Sequence, residues 1–143
     1  MRAFALLVSA AALGACAHLP PPKPAAAPAA GTIAQIYYWR AKPGKFDEYT
    51  RYVTDIAEPI DAEAQRNGAF LAVTTFVTRD TTSAWTHMRL FVLRDSLQLR
   101  EMSAKLDAAG VKLEPDSVKR RIRGEYSATL RESAGRATVA ILR

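Results

Sequence analysis

Between residues 45 and 66 the apolar side chains recur at Phe46, Tyr49, Val53, Ile56, Ile60 and Ala64. Steps of three and four predict an amphipathic helix. Pro59, with its fixed φ and missing amide, predicts a kink in it, and Asn67-Gly68 predicts its end. On either side the pattern changes to period two, rich in β-branched and aromatic residues. TIAQIYYWRA at 32–41, AFLAVTTFVT at 69–78 and WTHMRLFVLR at 85–94 predict three strands. Pro43-Gly44 closes the first, and a polar turn at 79–84 joins the other two. Asp95, with Gln98 three residues on, predicts the capping box of a second helix. Its apolar face is Leu99, Met102 and Leu106, and Gly110 ends it. Glu114-Pro115 predicts a new helix with proline in its first turn, continued by Val118, Ile122, Tyr126 and Leu130 at spacing four. After Gly135 a short last strand is predicted at 136–142. The order β-α-β-β-α-β predicts a ferredoxin-like α+β domain over 32–143, an antiparallel four-stranded sheet with helices on one face.

Side chains alternate across a strand. Ala34, Ile36 and Tyr38, then Leu71, Val73 and Val77, then Met88, Leu90 and Val92 form a small aliphatic set. Their neighbours form a bulky set that includes Tyr37, Trp39, Phe70, Phe76, Trp85 and Phe91. Helices are expected to cover the aliphatic set. The bulky face is then left to a second copy of the chain, because an aromatic surface of that size is unusual on a monomer. Gln35, Tyr37, Thr74, His87 and Arg89 are the polar members of the bulky face. They either orient a ligand in an aromatic pocket or make hydrogen bonds across the interface. The candidate ligand contacts are Tyr37, Trp39, Trp85, His87 and Arg89.

The first 31 residues have a different character. Arg2 precedes an uncharged apolar run, Ala3 to Leu13, the length of a signal h-region and short of the roughly 20 residues a spanning helix needs. Leu13-Gly14-Ala15-Cys16 follows, and Cys16 is the only cysteine of the chain. This resembles a bacterial lipobox, with residues 1–15 removed and the Cys16 thiol lipidated. The alternative is an ordinary secretory signal cut near Ala15 or Ala17, leaving a free thiol. By resemblance to Gram-negative lipoproteins, alanine at 17 points to the outer membrane, with the domain facing the periplasm. Residues 16–31 form a tether carrying five of the eight prolines. It favours an extended conformation of about 3.1 Å per residue, a reach of roughly 45 Å. His18, within it, reads as incidental.

Arg40-Ala41-Lys42-Pro43-Gly44-Lys45-Phe46-Asp47-Glu48-Tyr49 follows a tyrosine-rich first strand and leads into a long helix with proline in its second half. With the element order, this resembles the dimeric α/β-barrel superfamily, which includes stress-responsive barrels, antibiotic-biosynthesis-type monooxygenases and haem-degrading enzymes. The resemblance covers residues 32–142 and implies a homodimer with ligands bound inside the barrel. The haem-degrading members place a histidine on a helix. Here His87 falls on a predicted strand, so no haem ligand is carried over and no cofactor is expected.

The net charge of +6 favours anionic surfaces in general, and nucleic acid is not an expected partner outside the cytoplasm. Lys119, Arg120, Arg121 and Arg123 form a basic run that reads as a solvated helix face, or else as a contact for lipid headgroups. His87 is the only histidine of the domain and lacks a cysteine partner, so no metal site is expected. Phosphate loops and nucleophile elbows are absent from the sequence. Two functional classes remain. One is a lipoprotein that binds a small apolar or aromatic molecule or only self-associates. The other is a cofactor-independent monooxygenase- or isomerase-like enzyme with His87 or Tyr37 as acid-base group.

Overall fold

The computed structural model describes residues 32–142. The signal segment, Cys16 and the tether lie outside the described residues. Strand β1 is Ile33–Ala41, followed by helix α1 (Phe46–Tyr52), a π-helical segment (Val53–Ala57) and helix α2 (Glu58–Arg66). Strands β2 (Ala72–Val77) and β3 (His87–Leu93) form a hairpin, and α3 (Ser96–Leu113), α4 (Ser117–Leu130) and β4 (Arg131–Ala140) complete the chain. The sheet order is β2-β3-β1-β4 with every neighbouring pair antiparallel. This is the ferredoxin-like arrangement, with the helices on one side of the sheet.

Local chemistry explains most boundaries. Lys45 N donates to Lys42 O at 2.9 Å across Pro43 and Gly44. Proline at the second position and a glycine at φ +72° at the third are the signature of a type II turn. Asn67-Gly68 ends α2 in a Schellman motif: Ala69 N reaches Ala64 O at 3.0 Å and Gly68 N reaches Gln65 O at 2.9 Å. Asp95 Oδ1 accepts from Gln98 N at 2.9 Å, as expected of the cap. The Gln98 side chain accepts from Arg94 N instead of the cap residue's own amide.

Several boundaries differ from those expected. Residue 110 does not end α3, which runs on to Leu113. Pro115 lies just outside α4, and Asp116 is the N-cap, accepting from Val118 N and Lys119 N. Strand β4 begins at Arg131, five residues before the expected start. It pairs with β1 along its length and shifts register between Tyr38 and Trp39. Gly135, at φ +133°, lies at that bulge. The first helix is irregular before Pro59 rather than at it: the π turn ends at Ala57, so proline falls in the first turn of α2. The widened turn offsets the missing amide there.

The largest correction concerns which face of the sheet is covered. Phe91 and Leu93 of β3 are buried with Phe70, Ala64, Met102 and Ala109, and Ile33, Tyr37 and Val73 pack against them. A second cluster, Ala41, Tyr49, Val53 and Leu130, holds Trp39. The bulky side chains of β1 and β3 therefore face the helices. Ile36, Tyr38, Met88, Leu90 and Val92 lie on the opposite face. There they are joined by Thr74 and Phe76 of β2 through the pairs Thr74↔Leu90 and Phe76↔Met88. Period two separates two faces without saying which one turns inward. Helix α4 also departs from expectation: Ser127 and Leu130 are buried, whereas Val118, Ile122 and Tyr126 are exposed. Its basic run is largely engaged locally. Arg120 donates to Glu114 O and Pro115 O, Arg121 pairs with Glu125, and Arg123 pairs with Glu114.

A candidate ligand cavity between the sheet and the helices

The bulky face does not fill the space beneath the helices completely. A cavity of about 280 Å³ remains. β1 lines it with Tyr37 and Trp39, and β3 lines it with Arg89 and Phe91. These positions share one face because Tyr37 stands opposite Arg89, and Gln35 opposite Phe91. Across the gap, α3 presents Met102, Ser103 and Leu106, and the first helical run presents Tyr52, Ala57, Ile60 and Asp61. Tyr52 and Ala57 are five residues apart, a spacing that a π turn places on one face and an α turn does not. Ile56, expected on the apolar stripe, instead joins Arg51, Asp55 and Tyr126 in a surface groove.

The aromatic wall is ordered by mutual contact. Tyr37 stacks on Trp39 at 5.6 Å and 15°, and meets Phe91 edge-on at 5.9 Å. The Arg131 guanidinium lies 4.5 Å from the Trp39 ring centroid, a favourable cation–π placement. Against this wall stands one charged pair. Arg89 and Asp61 form a buried ion pair through Nη2 and Oδ2, with side chains 9% and 4% exposed. Arg89 Nε is buried without a hydrogen-bond partner. Burial lowers the pKa of Arg89, with the nearby Tyr49 and Glu58 opposing that shift. A second cavity of about 190 Å³ reaches the same pair from the β2 side, beside Val73 and Thr75.

His87 is placed differently. It is fully buried, does not line the cavity, and sits between the rings of Tyr49 at 4.5 Å and Phe46 at 5.0 Å. Its Nε2 is 3.0 Å from Thr50 Oγ1 and its Nδ1 is 2.9 Å from Thr86 Oγ1. Thr50 donates its single proton to Phe46 O at 2.8 Å, so it accepts from His87. Thr86 Oγ1 lies 2.9 Å from Nδ1 and 3.4 Å from Trp39 O, so its proton goes to the nearer acceptor, Nδ1, and the ring is assigned as the neutral Nε2–H tautomer. Burial pushes its pKa down to about 4, in keeping with that neutral form. Both nitrogens are occupied, which disfavours His87 as an acid-base group.

Of the five candidate contacts, Tyr37, Trp39 and Arg89 converge on the cavity. His87 is sealed behind it. Trp85 packs on Tyr38 at 6.2 Å, on the other face of the sheet. Gln35 accepts from Thr138 of β4 at 2.5 Å. Thr74 lies on the open face opposite Leu90. Asp61 and Tyr52 were not among the expected residues. The one local hint of Asp61 is a carboxylate beside Ile60 on the apolar stripe. Its pairing with a strand arginine has no local signature. Among the described residues, no cluster of three His, Cys, Asp or Glu could hold a metal ion. No described helix is long and apolar enough to cross a membrane.

The architecture defines a ferredoxin-like α+β domain with its cavity between sheet and helices. No protein-family model matches the chain, and no curated protein matches it in sequence. Solved structures do share its fold. HapK from Hahella chejuensis is 9% identical, with a TM-score of 0.52, covering 77% of this chain and 92% of that one. SnoaB from Streptomyces nogalater, a cofactor-independent oxygenase, is 13% identical with a TM-score of 0.52, covering 80% and 96%. A dimeric protein of unknown function and ferredoxin-like fold from Bacteroides fragilis is 13% identical with a TM-score of 0.50, covering 78% and 95%. At such identities the likeness is one of fold alone.

Proposed function

We propose that this chain is a lipid-anchored protein of the bacterial cell envelope whose folded domain binds a small apolar or aromatic molecule between its sheet and helices. The observation that carries the binding reading is the cavity of about 280 Å³, walled by Tyr37, Trp39, Phe91, Ile60, Met102 and Leu106. It is close to the lower end of the roughly 300–1,000 Å³ typical of ligand pockets, and like them it is mostly apolar with a few convergent polar groups. The anchor reading is supported by Leu13-Gly14-Ala15-Cys16 and by the single cysteine, and places the domain on the periplasmic side of the outer membrane. The domain pairs with a second copy through its open sheet face. Support for this comes from the apolar residues there, with Phe76 43% exposed, and from the dimeric state of the Bacteroides fragilis protein that shares the fold.

Protein purified from its native host should carry a bound small molecule, found by absorbance and by mass spectrometry of a solvent extract. Substituting Ile60 with Trp should fill the cavity and abolish that co-purification. A ligand retained equally by the filled variant would place binding elsewhere.

A second reading is a cofactor-independent oxygenase or isomerase. It is favoured by the fold shared with SnoaB and by the Tyr37 phenol on the cavity wall. Oxygen uptake on adding the extracted ligand, lost in Tyr37→Phe, would support it. Ligand returned unchanged after incubation in air would exclude oxygenation.

A further inference from the structure

We propose that the cavity selects uncharged ligands bearing a group that both donates and accepts a hydrogen bond, such as an aromatic hydroxyl, and rejects carboxylates and ammonium ions of the same shape. This rests on the binding reading above and specifies its ligand class. Among the described residues that line the cavity, Arg89 and Asp61 are the only charged side chains, and they are paired with each other. Around Arg89, Glu58 and Arg131 add one further charge of each sign. The site is therefore neutral as built. An anionic ligand would compete with Asp61 for Arg89 and leave a buried carboxylate uncompensated. A cation would do the reverse to Arg89. Either exchange replaces a paired buried charge with an unpaired one in a poorly solvated place, which is strongly unfavourable.

A neutral hydroxyl requires neither exchange. Arg89 Nε and Nη2 and Asp61 Oδ2 are sealed from solvent, so a ligand would meet the pair at its other two polar atoms, Nη1 and Oδ1. Nη1 is a donor and Oδ1 an acceptor. A hydroxyl accepting from Nη1 and donating to Oδ1 satisfies both without disturbing the pair. The other polar groups on the wall are the phenols of Tyr37 and Tyr52, the Ser103 hydroxyl and the Trp39 indole N–H. The stacked Tyr37 and Trp39 rings offer a flat surface for the remainder of the ligand.

The test uses four probes built on one ring system: naphthalene, 2-naphthol, 2-naphthoate and 2-naphthylmethylammonium. They are titrated near neutral pH, where naphthol is uncharged, into the mature protein in detergent, with free probe measured by dialysis. The chain has two tryptophans, so Trp85→Phe leaves Trp39 alone to report cavity occupancy by quenching. Naphthol is expected to bind at least tenfold more tightly than naphthalene and than either ion. In Asp61→Asn the naphthol-to-naphthoate ratio should fall at least tenfold, because Arg89 is then free to take the anion. Naphthoate binding as tightly as naphthol to the protein with Asp61 intact overturns the proposal, as does a folded Asp61→Asn variant with an unchanged ratio. If Asp61→Asn does not fold, the ratio measured with Asp61 intact decides alone. Naphthalene binding as well as naphthol refutes the selection and leaves the binding reading standing. Failure of all four probes counts against both.

Discussion

Asp61 of α2 and Arg89 of β3 form a buried ion pair at the junction of two cavities, and each lines both of them. Neither residue is close to the other in sequence, and the π turn between α1 and α2 sets the rotation that brings Asp61 inward. Truncating one partner leaves the other charged and buried. Arg89→Met should therefore destabilise the domain by about 3–5 kcal/mol. The double variant Arg89→Met with Asp61→Leu should recover most of that loss. Urea unfolding of the three proteins measures it, and an unchanged midpoint in Arg89→Met would mean that the pair is solvated.

The open face of the sheet gives a second prediction. Leu90 lies on it, between Ile36 of β1 and Thr74 of β2. Leu90→Glu should place a charge in the proposed contact between copies, yielding a folded monomer. Trp39→Glu should behave differently, since Trp39 packs beneath the helices and lines the cavity. It should lower thermal stability and abolish ligand binding while sparing association. Light scattering and thermal melts of both variants separate the two faces. Dimers surviving Leu90→Glu would move the interface off the sheet.

His87 makes stability depend on pH. Its folded pKa, about 4, lies below the ordinary value of 6.5, so the unfolded chain binds the proton more readily. The stabilisation is complete above about pH 6.5 and is lost as pH falls through 4, by up to roughly 3 kcal/mol. His87→Gln should remove this component of the acid sensitivity, read as melting temperature between pH 7.5 and 4. An identical slope in that variant would place the titrating group elsewhere.

Glu63 gives an acid-side counterpart. Lys112, Arg66 and Asn67 all donate to its carboxylate, which holds its pKa down to about 2 and ties α2 to α3 through Lys112. The stabilisation is present above the usual carboxylate value of 4.5 and is lost as pH falls towards 2. Glu63→Gln should lower the melting temperature at neutral pH and flatten its decline in acid, which a series of melts would show.

Lipidation is tested by Cys16→Ala. The variant should be extractable without detergent, and the mass of its N-terminus should lack acyl chains. Unchanged fractionation and mass would favour an ordinary secretory signal.

The sequence by itself determined the kinds of element and their order. Each has a local cause: steps of three and four at Phe46 to Ala64, period two at 32–41 and 87–93, Pro43-Gly44 at a turn, Asn67-Gly68 and Asp95 at helix ends. It also named five candidate contacts, of which Tyr37, Trp39 and Arg89 line the cavity and Trp85 and His87 do not. The tertiary structure alone decided which way the sheet faces. Alternation is symmetric, and the large side chains of β1 and β3 turned out to be needed under the helices, where they span the gap and leave a cavity. It also decided the fates of the polar residues. His87 is buried because Thr50, on α1, and Thr86 meet its two nitrogens, and Arg89 because Asp61 crosses from α2. Those partners come from elements whose relative rotation is set by a π turn and by packing between layers, and no local pattern of residues encodes that rotation.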